Sequence, residues 1–113
     1  MSESTESCVR WIVQGVPELQ PVLAEHVEDN FGELLPHVFF GDLTRWLNAE
    51  VAARPTSDAA GRLLWALDQA YANGDDDIRE LVTVSFLEIL DDDSPATAVL
   101  SPRLLAVRDS LAG

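Results

Sequence analysis

The sequence contains no lysine. Its seven cations are all arginine, set against twenty acids, for a formal charge of −13. A field of that sign repels phosphate backbones and anionic lipid, and it speeds encounter with basic partners. Direct nucleic-acid binding and membrane-surface attachment are therefore not expected. Self-repulsion opposes a large homomeric interface, so a monomer is expected in isolation. Cysteine occurs once, at Cys8, which rules out an internal disulfide. With no CxxC and no neighbouring histidine it reads as a small apolar residue, not an activated thiol.

Further absences narrow the function classes. No apolar run reaches the roughly 18 residues of a membrane span. The start MSESTES has neither the basic nor the apolar part of a secretion signal, so a cytoplasmic location is expected. The six glycines are scattered, and neither GxxxxGK[ST] nor GxGxxG occurs, so no phosphate-cradling loop is present. Aspartate triplets at 75–77 and 91–93 invite a metal reading. An EF-hand, however, alternates its oxygen ligands around a central glycine, whereas these run consecutively; Asp77 and Glu80 can share a helix face without a histidine or cysteine nearby. No metal and no cofactor are expected.

What is present is an ordinary globular content, 47 % apolar, enough for one domain over residues 1–113. Helical spacing and punctuation predict an all-α compact bundle of five to six helices, at about 6–14, 17–29, 34–53, 58–72, 77–90 and 102–111. Pro17 and Pro36 suit first helical turns, and Gly15, Gly32 and Gly74 suit stops. Val22, Leu23 and Val27 mark the buried stripe of the second helix. Leu35, Val38, Phe39, Leu43, Trp46, Leu47 and Val51 mark that of the third. Thr56 or Ser57 caps the fourth and Ser101 the last, where Leu104, Leu105, Val107 and Leu111 are expected to pack inward. The fifth is apolar almost all round, which predicts a central helix entered through an Asp77-x-x-Glu80 capping box. Its stretch 82–86 also alternates like a strand; cap and length favour helix.

The two triplets bracket that fifth helix and stand in opposite electrostatic situations. Charge at 75–77 is favoured by the helix dipole, by about 0.3–1 kcal/mol per group, whereas charge at 91–93 is opposed by it. Glu88, Asp91, Asp92 and Asp93 add like-charge repulsion at i,i+3 and i,i+4. A basic partner would neutralise such a cluster. The expected binding residues are therefore Glu88, Asp91, Asp92 and Asp93, with Asp75 and Asp76. Arg45 beside Trp46 supplies the residue mix of interface anchors, although Trp46, like Trp11 and Trp65, reads first as a core residue. Trp65 has an outward alternative between Arg62 and Gln69. A competing reading is a small helical enzyme or ligand-binding domain built on His37, Asp42 and Arg45. No triad order supports it, and each histidine reads first as a surface or capping residue.

The stretches LLPHVFFGDLTRWL at 34–47 and VSFLEIL at 84–90 resemble small uncharacterised actinobacterial helical proteins, some of which are similar to immunity proteins encoded with polymorphic toxins. The resemblance spans about a third of the chain. It implies a stoichiometric inhibitor that covers the site of a toxin, often a basic nuclease, and assigns no role to a residue. The expected function is thus a non-catalytic protein-binding module that blocks a basic, toxin- or nuclease-like partner. A variant is a nucleic-acid mimic whose carboxylates are spaced along one face.

Overall fold

The structure, a computed structural model, describes residues 3–112. The sequence readings at residues 1, 2 and 113 lie outside them. Six α-helices follow in order: α1 (Glu3–Gly15), α2 (Gln20–Asp29), α3 (Pro36–Ala53), α4 (Asp58–Asn73), α5 (Asp76–Val82) and α6 (Pro102–Ala112). A 3-10 turn at Pro17–Leu19 precedes α2, and another at Pro95–Val99 precedes α6. No strand occurs among the described residues, so 82–86 is helical. None of these helices is long and apolar enough to cross a membrane.

Three helix starts are built by local chemistry. Ser57 Oγ accepts from the Ala60 N–H at 3.2 Å, and Ser101 Oγ from the Leu104 N–H at 3.2 Å. Each satisfies an amide that the first helical turn leaves without a partner. At α5 the cap is Asp75, whose Oδ1 accepts from the Ile78 N–H at 2.9 Å. The expected box at Asp77 is thus displaced by two residues. Asp75 has extended backbone (φ −79°, ψ −176°) and suits a cap, whereas Asp77 already lies in the first turn. The stop of α2 falls at Asn30 and Gly32 as expected, with one addition. Phe31 too takes the left-handed conformation (φ 58°), followed by Gly32 at φ 87°, while the Gly32 N–H closes on Val27 O at 2.8 Å.

The fifth segment is the centre of the bundle, and it is not a plain helix. After Val82 the backbone widens into a π turn over Thr83–Leu87, closed by the Glu88 N–H on Thr83 O at 2.9 Å. A π turn inserts one residue into the helical repeat. Leu81 and Val82 face the core, and continuing α-helix would bring Ser85 and Ile89 to that same side. The insertion instead turns Phe86, Leu87 and Leu90 inward; all three are buried, whereas Val84 and Ile89 are exposed. A segment apolar all round in sequence therefore has two faces in the fold.

The helices pack around this segment. α1 lies on α4 and α5, α3 on the π turn and the 95–99 turn, and α6 on the π turn. Phe39, Phe40, Leu43 and Leu47 of α3 meet Ile12 of α1 and Leu63 and Leu67 of α4 in one core. Several expected inward residues are outside it: Val38, Leu105 and Leu111 are exposed, and Val27 is only half-buried, whereas Val22 and Leu23 pack against its edge. Val38 and Leu105 sit one residue, about 100° of helix, away from the buried rows carried by Phe39 and Leu104. α4 and α5 meet closely at Gly74, where an added Cβ would stand 2.4 Å from Ala70 O and 2.5 Å from Ile78 Cγ2. Gly74→Ala is therefore expected to destabilise the fold by about 1–3 kcal/mol, measured as a lowered urea midpoint at unchanged slope.

Candidate protein-interaction surface

The second aspartate triplet lies in an ordered loop. The Asp91 N–H donates to Ser94 Oγ at 2.9 Å, and Asp91 O accepts from Thr97 Oγ1 at 2.7 Å. Arg108, from α6, reaches across the end of the fifth segment. Its Nη2 donates to Leu90 O at 3.2 Å and pairs with Asp92 at 2.9 Å. One guanidinium thus covers a terminal carbonyl and the adjacent acid, which offsets the adverse dipole term expected at this position. Asp92 is committed to the fold. Glu88, Asp91 and Asp93 are exposed and form no ion pair among the described residues.

The first triplet opens α5. Asp75 caps the helix; its backbone hydrogen bond from Ile78, and after that one with Ser4, hold its carboxyl below the usual carboxylate range. A carboxylate depressed in the folded state stabilises the fold at pH above its unfolded pKa, near 4, and loses that contribution as pH falls through the lower folded value. Asp75→Asn keeps a capping oxygen and removes the titration. The acid limb of the melting-temperature profile below about pH 4 is expected to be shallower in this variant. Asp76 and Asp77, also exposed, make no ion pair among the described residues. The two acidic groups stand at opposite ends of one helical element, residues 76–87, roughly 20 Å apart, so they do not merge into one patch.

Of His37, Asp42 and Arg45, the fold brings together only Asp42 and Arg45. His37 Nδ1 lies 2.6 Å from Ser85 Oγ on the exposed face of the π turn. Asp42 pairs with Arg45 one turn along α3, as the i,i+3 spacing suggests, and stands 3.4 Å from His26 Nδ1. His26, expected at a surface or a cap, is 2 % exposed. Its Nε2 accepts from the Leu35 N–H at 3.0 Å, so the ring proton belongs on Nδ1, the nitrogen nearer Asp42. Its ring meets Phe39 edge to face at 5.6 Å. This histidine fastens the α2–α3 loop. A cavity of about 260 Å³ opens beside it, lined by Glu25, Asp29, Asp42 and Arg45. Among the described residues no three histidine, cysteine or acidic side chains converge as a metal site requires.

Arg45 is exposed, while Trp46 is half-buried against the core. Neighbours in sequence, they differ in burial because successive residues of a helix are turned by about 100°. The exposed tryptophans are Trp11 at 43 % and Trp65 at 60 %, both read first as core in the sequence. Their rings lie 6.1 Å apart, tilted by 39°, across the seam of α1 and α4. They wall an apolar groove of about 390 Å³ with Cys8, Ala70, Gly74 and Ile78. Burial pushes the Cys8 thiol up to about 11, with Asp75 adding to the shift, so it serves as an apolar floor. The outward alternative for Trp65 was legible from its flanking Arg62 and Gln69; nothing in sequence pairs it with Trp11.

No curated protein and no solved structure matches this chain. A family match does, and it begins in α1 and ends in α6, so it takes in both acidic groups, His26 and the two tryptophans of the groove. By that match, over residues 9–111, the chain belongs to the family described as Domain of unknown function (DUF7674).

Proposed function

We propose that this protein is a non-catalytic binding module of the stoichiometric-inhibitor type, acting as an immunity protein does, and that its partner is a basic protein. The observation carrying this reading is how the charges are paired. Five of the seven arginines are spent within the fold, on Asp42, Glu50, Glu18, Asp58, Asp68 and Asp92. The other fourteen of the twenty acids have no arginine partner among the described residues. They include Asp75, Asp76, Asp77, Glu88, Asp91 and Asp93, all exposed. Such a surface contributes mainly to association rate and to partner choice.

Affinity capture with the tagged full-length chain from its host, followed by mass spectrometry, tests the reading. The expected product is a basic protein held in 1:1 ratio and released by moderate salt. A neutral or acidic partner retained at high salt would contradict it. Wild-type recovery should exceed that with Asp91→Asn/Asp93→Asn, a variant that leaves the Asp92–Arg108 pair in place and melts at or slightly above the wild-type temperature. A second reading, the nucleic-acid mimic, is favoured by the separation of the two acidic groups along one element. It requires duplex nucleic acid to compete with this protein for the captured partner.

A further inference from the structure

Two indoles left in water beside each other are unusual in a monomeric domain, where large aromatics usually bury most of their surface. Trp11 and Trp65 border a groove whose floor is apolar and whose rim is polar, with Ser4, Gln69 and Asn73 along it. At one end the rim turns acidic. Asp75 bonds Ser4 there, and Asp76 follows in the first turn of α5. The cations of the flanking helices are directed elsewhere. Arg62 of α4 is held by Glu18 and Asp58, and Arg79 of α5 donates to Tyr71 O at 3.1 Å. Arg10 of α1 lines a different cavity with Leu23 and Glu33.

Resting on the reading above, we propose that this groove is the anchor site for the basic partner. It takes an arginine or lysine flanked by aliphatic residues. The side-chain stem lies against the paired indoles, the cation is drawn to Asp75 and Asp76, and the aliphatic neighbours cover Cys8, Ala70 and Ile78. The chemistry selects this occupant. Indole faces attract cations, and long basic side chains bury their stems on apolar surface while keeping the charge solvated. A nucleic-acid base stacked on the same rings would bring phosphates against carboxylates. A second copy would bring another chain of charge −13.

The probe is a twelve-residue amphipathic peptide of leucine and arginine, titrated into the ¹⁵N-labelled full-length protein while the indole N–H signals are followed. Leucine–glutamate and serine–arginine peptides of equal length are the controls. The signals of Trp11 and Trp65 are expected to move saturably and that of Trp46 to stay. The serine–arginine peptide should bind more weakly and the leucine–glutamate peptide not at all. Trp65→Ala, at unchanged melting temperature, should raise the Kd about tenfold or more, as loss of a central aromatic anchor does. Equal affinity in Trp65→Ala, displacement of Trp46 instead, equal binding of the glutamate peptide, or no saturable binding would each overturn the proposal. So would a concentration-dependent dimer that Trp65→Ala dissolves, which would give the groove to a second copy. Salt-sensitive binding that survives Trp65→Ala but is lost on neutralising Asp91 and Asp93 would remove the groove and leave the basic-partner reading standing. An acidic captured partner would remove that reading, and with it the partner assigned to the groove.

Discussion

Phe86→Ala is expected to lower the unfolding free energy by about 3–5 kcal/mol, the range for emptying a buried aromatic site. Phe86 is fully buried in the π turn, an element that packs against α3 and α6. Domains of this size are stable by only about 5–15 kcal/mol, so the variant should be near its folding limit. Chemical denaturation gives the value directly. Val84→Ala is the control: two residues away but on the exposed face, it should change stability by less than about 0.5 kcal/mol. Similar costs at the two positions would mean that the segment runs as uninterrupted α-helix and that the π insertion does not set its phase.

The second large effect is expected at His26. Replacing it by Ala removes a ring packed on Phe39 and leaves the Leu35 N–H without its acceptor. The lost packing contributes about 2 kcal/mol or more, and the orphaned amide about 1–3 kcal/mol. Gln can bring an amide oxygen to the position of Nε2, so His26→Gln should recover part of the loss where Ala recovers none. Hydrogen exchange separates the two contributions. The Leu35 amide should lose protection in His26→Ala more than the Phe39 and Phe40 amides deeper in α3. Uniform loss would show that His26 acts through packing alone.

His26 also shows where sequence reasoning stopped. Its neighbours on α2 are Glu25 and Val27, and nothing local signals burial, because the group it satisfies lies nine residues on, at the start of α3. The all-α class and the six helices were legible from periodicity and caps, since both depend on residues three or four apart. Ser57 and Ser101 were readable for that reason. The π turn was not. Its β-branched run Val82-Thr83-Val84 signals strand as readily as helix, and only the core decides which side of the segment is buried. Pairing across helices was equally silent: Arg108 with Asp92, Trp11 with Trp65, and Asp42 with His26 instead of His37. The acidic surface itself was legible as composition, but the structure alone separates Asp92, held by α6, from Asp91 and Asp93, which are not.

The central claim is that the unpaired carboxylates recruit a basic partner, and the association rate as a function of ionic strength tests it most directly. Stopped-flow mixing with the captured partner should give a rate that falls steeply between about 0.01 and 0.15 M salt, where the screening length shrinks from about 30 to 8 Å. Asp91→Asn/Asp93→Asn should associate more slowly at low salt and converge on wild type at high salt, with dissociation little changed. A rate that is independent of salt, and equal in wild type and variant, would contradict the claim.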